Sequence, residues 1–88
     1  MSTDDKATLV TGFSSPEGCN GNIGPIASLN FSGLCLQDGP LGIRLADLAS
    51  AFPAGLTAGA SWDKDLIYAR ALATASQFRA KGANIMLG

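Results

Sequence analysis

The stretch Leu34-Cys35-Leu36-Gln37-Asp38-Gly39-Pro40-Leu41-Gly42-Ile43-Arg44 decides how the rest of the chain is read. Leu34, Cys35 and Leu36 form a brief apolar run, bounded by Gly33 on one side and Asp38-Gly39-Pro40 on the other, as expected of a short buried strand. Pro40 has no N–H for a ladder and cannot continue a central strand. The strand therefore ends near Gln37 or Asp38, which leaves Asp38 at its C-terminal lip.

Working outward, residues 63–81 carry the clearest helical signal. Ser61 or Asp63 can cap it, and Asp63 and Asp65 suit the positive end of the helix dipole. Ile67, Ala71, Ala75 and Phe78 recur on one face, widened by Leu66, Ala69 and Ala73. Arg79 and Lys81 suit the last turn, and Gly82 supplies a left-handed stop. Ile85-Met86-Leu87 then reads as a second buried strand. Strand, loop, helix, glycine and strand is the order of a βαβ unit with a parallel pair, hence an α/β fold. Such a sheet is buried only when further elements cover both faces, so this order predicts an incomplete unit.

Upstream, Ser2-Thr3-Asp4-Asp5 reads as a helix start, with Ala7, Leu9 and Val10 as its apolar side and Gly12 able to end it. Residues 13–25 are rich in Gly, Ser, Asn and Pro and are expected to be irregular coil. Residues 41–60 read as a loop, with one more short strand around Gly55 to Ala58.

The chain has 88 residues, enough for one small domain, and nearly half of them are apolar. Six basic against seven acidic side chains give a net charge of -1 and no basic patch, so nucleic acid is not expected as a partner. No apolar run approaches the roughly 20 residues of a membrane helix. Met1 to Lys6 is polar and acidic, so this start is not read as a secretory signal. With no histidine and two cysteines, Ser-His-Asp, Cys-His and tetrahedral zinc sites are not expected, nor is any cofactor or metal. Composition leaves Cys19 and Cys35 open between two readings. One is a disulfide across about 16 residues worth roughly 3 kcal/mol, the other a pair of unpaired buried thiols. A phosphate cradle at Gly39 to Gly42 is disfavoured, because no Lys-Ser or Lys-Thr follows.

The block from Leu34 to Arg44 closely resembles a segment of the fungal β-glucosidases of glycoside hydrolase family 3. Cys19-Asn20-Gly21-Asn22-Ile23-Gly24-Pro25-Ile26, Ala51-Phe52-Pro53-Ala54-Gly55, Ser61-Trp62-Asp63-Lys64-Asp65-Leu66 and Lys81-Gly82-Ala83-Asn84-Ile85-Met86-Leu87-Gly88 are similar to further pieces in the family's order. The resemblance implies that residues 1–88 are an incomplete N-terminal part of a (β/α)8 TIM-like barrel, truncated at both ends. A whole barrel takes about 250 residues.

It also implies a parent enzyme, secreted and active in cellulose and polysaccharide degradation. That enzyme hydrolyses terminal non-reducing β-D-glucosyl residues of cellobiose and other β-glucosides with retention. Retention needs two carboxyl groups about 5 Å apart. No stretch here matches either of the family's catalytic motifs, so no catalytic residue is assigned and the isolated chain is expected to be inactive.

Asp38 resembles the family's aspartate that accepts hydrogen bonds from hydroxyls of the innermost glucosyl unit, and Arg44 the arginine that helps hold the same sugar. Without the resemblance, Asp38-Gly39 reads as a turn signal and Arg44 as a solvated loop cation. Cys19 and Cys35 match positions that resemble a disulfide pair in the fungal relatives. Trp62, just before the helix cap, is read as a packing residue rather than a sugar platform. Asn30-Phe31-Ser32 fits the N-glycosylation sequon. A phenylalanine, Phe13, stands in the loop where the family usually carries tryptophan. The alternative to an enzyme piece is a small non-catalytic interaction protein derived from it, poorly folded alone, with an uncovered apolar sheet face.

Overall fold

The computed structural model describes residues 1–15 and 18–88. The part of the expected coil at Pro16 and Glu17 lies outside the described residues. Helix α1 spans Thr3–Val10, strand β1 Gly21–Ile23, a 3-10 turn Ala27–Leu29, and strand β2 Leu34–Asp38. Helix α2 follows at Gly55–Ala60, helix α3 at Lys64–Ala80 and strand β3 at Ile85–Leu87.

The helix ends obey local chemistry. Ser2 and Asp5 form a reciprocal capping box: Asp5 N–H donates to Ser2 Oγ at 3.0 Å, and Ser2 N–H to Asp5 Oδ2 at 2.8 Å. These bonds, the backbone one first, hold the Asp5 carboxyl below its ordinary range. Asp63 caps α3 through Leu66 N–H at 3.0 Å. Ser61 closes α2 instead, its Oγ–H donating to Ala58 O. After Lys81, Gly82 takes a φ of +83° and turns the chain towards β3.

The sheet is open and mixed, in the order β1-β2-β3. β3 lies parallel to β2 with Leu36 opposite Ile85, as the βαβ order requires, while β1 lies antiparallel to β2 with Asn22 opposite Cys35. β1 corrects the expectation of coil throughout residues 13–25. Three residues are too short to show alternation, and only pairing with β2 makes them a strand.

Residues 55–60 are a helix, not a loop with a strand. Gly55 and Gly59 are poor helix formers. α2 forms because Ala58, 7 % exposed, docks against α3.

The inner face of α3 is the expected one only at Phe78. Thr74 and Phe78 are buried and Arg70 and Gln77 half-buried, whereas Ile67, Ala71 and Ala75 are exposed. The reason is what α3 packs on, the polar backbone of the loop between β2 and α2. Arg70 donates to the carbonyls of Pro53 and Pro40 at 2.6 and 2.7 Å. Gln77 Oε1 accepts from Ser50 N–H at 3.2 Å, and Lys81 Nζ donates to Asp47 O at 2.6 Å. Three polar side chains thus sew the loop to the helix, and of the expected stripe only Phe78 is buried while Ile67, Ala71 and Ala75 stay outside.

Other apolar positions stay outside too. β3, expected to be buried, is 39–44 % exposed, and Leu9 and Val10 of α1 do not pack. Trp62, read as a packing residue, is 93 % exposed, at a φ of +56°.

Among the described residues the buried apolar side chains are Ile26, Ala58 and Phe78. The accessible surface is 6276 Å², against about 4,800 Å² for a folded monomer of this mass. The radius of gyration is 15.9 Å, where about 12 Å is usual for this length. The chain keeps the secondary structure of an α/β layer with little of the burial that normally accompanies it.

Candidate functional site

β2 ends where Pro40 forbids further pairing, so Asp38 stands at its C-terminal exit, half-buried. The chain then folds back: Gly42 N–H donates to Gly39 O at 3.2 Å and Arg44 N–H to Asp38 O at 3.1 Å. This return brings the Arg44 guanidinium within 3.7 Å of Asp38 Oδ2. Both side chains are substantially exposed, so the pair itself adds little stability. Its value is positional, a carboxylate and a guanidinium presented side by side at a strand end.

Gly39 is required there by space. A Cβ on it would lie 2.7 Å from the Phe78 ring and from the Gly42 carbonyl carbon. The buried core residue of α3 therefore rests directly against the turn that carries Asp38.

On the opposite face of β2, Cys35 and Gln37 point together. Cys35 is bonded to Cys19, with their Cα atoms 5.5 Å apart. Gln37, 4 % exposed, accepts from Asn20 N–H at 2.8 Å and donates to Arg44 O at 2.5 Å. Asn20 Oδ1 in turn accepts from Asp38 N–H at 3.2 Å. Asn20 and Gln37 thus tie the cysteine loop, Asp38 and Arg44 into one network.

Neither residue was singled out from the sequence. Gln37 carried one signal, a polar side chain next to a buried apolar run, which demands a hydrogen-bond partner. Asn20 carried none beyond its neighbour Cys19.

A depression of about 400 Å³ opens beside the pair, with Leu41, Ile43, Arg44, Ala46 and Ser50 on its walls. Asn30 lies elsewhere, on the loop that enters β2. Among the described residues no group of three or more His, Cys, Asp or Glu is placed to hold a metal ion. Among the described residues no helix is long and apolar enough to cross a membrane.

No protein-family model matches the chain. Comparison with known proteins is decisive instead. Over all 88 residues it is 56 % identical to the probable beta-glucosidase G of Aspergillus terreus. The crystal structure of a beta-glucosidase from Chaetomella raphigera superposes on the whole chain with a TM-score of 0.91 at 45 % identity. That of a beta-D-glucoside glucohydrolase from Trichoderma reesei does so with 0.90 at 36 %. This chain is a relative of the β-glucosidases.

It spans about a tenth of the length of the curated relatives it matches, and 12 % of each of the two solved chains. The likeness covers the whole of this β-glucosidase relative, residues 1–88. Sequence reasoning named Asp38 and Arg44 together, and the fold brings them together.

Proposed function

We propose that residues 1–88 are a glucoside-binding piece of a β-glucosidase, the opening part of its (β/α)8 barrel. The whole enzyme would release terminal non-reducing β-D-glucosyl residues from cellobiose and related β-glucosides with retention. The observation that carries this reading is the Asp38–Arg44 pair at the exit of β2, in a chain alike to β-glucosidases along its whole length. Strand C-terminal ends are where barrel enzymes assemble their sites. An ionised carboxylate accepts from two sugar hydroxyls at once, and such charge-assisted bonds are strong. Arg44 orients the carboxylate and offers donors to the same ring. On this reading the chain by itself does not hydrolyse glucosides, since retention calls for a carboxyl pair that it has not inherited.

The test is a chimaera in which this chain replaces the matching segment of the Aspergillus terreus relative. The chimaera is expected to cleave p-nitrophenyl β-D-glucopyranoside, and the free 88-residue chain to release no p-nitrophenol. Asp38→Asn keeps the size but removes the charge. It is expected to lower kcat/KM of the chimaera by roughly 10- to 200-fold, the equivalent of about 1.5–3 kcal/mol. An active chimaera indifferent to Asp38→Asn would refute the binding role, and turnover by the free chain would refute its dependence on the rest of an enzyme.

The exposed apolar surface favours a second reading, a non-catalytic interaction protein. A folded but inactive chimaera would select it.

A further inference from the structure

We infer that Asn30 is a site of N-linked glycosylation, attached while the chain passes through an oxidising secretory compartment. The sequon Asn30-Phe31-Ser32 lies on a tight surface loop. Ile26 and Phe31 pair backbone to backbone at 2.9 and 3.1 Å, which closes the loop at its base. Asn30 sits beside that closure in the left-handed region, φ 51° and ψ 34°, as the cap of the 3-10 turn. Asn30 and Ser32 are exposed, and Phe31 between them is half-buried, so the middle residue anchors the triplet while its reactive ends face solvent.

A capping role accounts for Asn30, because asparagine tolerates this conformation. It does not account for Ser32, an exposed serine in the third position of the sequon.

Two further observations point the same way. Among the described residues every cysteine is oxidised, in the Cys19–Cys35 bond. Stable disulfides belong to the compartments in which glycan transfer also occurs. Asn30 also lies before the N-terminal end of β2, whereas Asp38 lies at the other end. Four residue steps along the strand separate those ends by about 13 Å. A glycan at Asn30 hangs away from the Asp38–Arg44 pair and leaves it open.

The transfer is a substitution at a sugar carbon. Asn30 Nδ2 forms a bond to the anomeric carbon of an oligosaccharide carried on a lipid diphosphate. The anomeric C–O bond breaks, its electron pair leaves with the diphosphate, and the amide nitrogen loses one proton.

The experiment expresses the 88-residue chain in yeast behind a supplied secretion leader and recovers it from both medium and membranes. Treatment with an N-glycosidase in heavy-oxygen water is expected to sharpen and speed the electrophoretic band, and to convert Asn30 into a heavy-oxygen-labelled aspartate in the peptide mass spectrum. Asn30→Gln and Ser32→Ala are each expected to abolish the shift, and Ser32→Thr to retain it. Unshifted chain with the disulfide formed, from medium and membranes alike, would overturn the proposal, as would a shift that survives Asn30→Gln. Neither result bears on the glucoside reading, which the chimaera tests separately.

Discussion

Phe78→Ala is expected to abolish the cooperative thermal transition of the chain followed by far-ultraviolet circular dichroism. Phe78 is 2 % exposed, and its large side chain dominates a core otherwise made of Ile26 and Ala58 among the described residues. Truncating a buried phenylalanine costs about 3–5 kcal/mol, part transfer and part cavity. An ordinary domain has roughly 5–15 kcal/mol in total, and this one exposes about 30 % more surface than a folded monomer of its mass should. The loss therefore matches or exceeds the stability available. It reaches the site as well, because the ring rests against Gly39, the residue after Asp38.

Ile67→Ala serves as the control. Ile67 belongs to the apolar stripe that periodicity assigns to the core, yet it stands 39 % exposed. Its truncation is expected to change stability by no more than about 0.5 kcal/mol. Equal costs at the two positions would mean that the expected apolar stripe of α3 is buried along its whole length, Ile67 included.

Replacing Cys19 and Cys35 together by serine is expected to lower the unfolding free energy by about 3 kcal/mol, read from urea midpoints. The bond closes a separation of 16 residues, and the chain-entropy model assigns about 3 kcal/mol to a loop of that length. The effect falls first on β1. That strand has three residues, its pairing with β2 is short, and the cysteine bond fastens the loop leading into it. Once the loop moves, Asn20 no longer accepts from Asp38 N–H and Gln37 Oε1 loses the Asn20 N–H. A buried amide oxygen without a partner adds its desolvation cost to the lost crosslink. Identical midpoints for the oxidised chain and the double serine variant would show that β1 holds to β2 without the bond.

The parts of this fold that were legible in the sequence share a property: their causes lie within a few residues. The Ser2–Asp5 box, the Asp63 cap and the left-handed Gly82 are each contained in one turn of chain. The end of β2 follows from Pro40, which lacks a donor whatever surrounds it. Asp38 and Arg44 were legible as a pair through resemblance, and the return of the backbone between them explains why six positions of separation suffice. The parallel placing of β3 follows from the order of elements.

What was not legible depends on partners distant in the chain. Gly21-Asn22-Ile23 becomes a strand through β2, residues 55–60 become a helix through docking on α3, and Gln37 gains its meaning from Asn20 and from the Arg44 carbonyl. Periodicity placed Phe78 inside correctly but carried the buried stripe too far, to Ile67, Ala71 and Ala75, because Arg70, Gln77 and Lys81 found backbone partners in the loop. By itself, then, the sequence determined where helices start and stop, where β2 must end and which two charged residues stand near that end. Only the tertiary structure decided which face of α3 lies inward, that β1 and α2 exist, and which polar network holds Asp38 in place. Capping and termination are governed by backbone groups a few residues apart, whereas burial is governed by whichever surface happens to arrive from elsewhere in the chain.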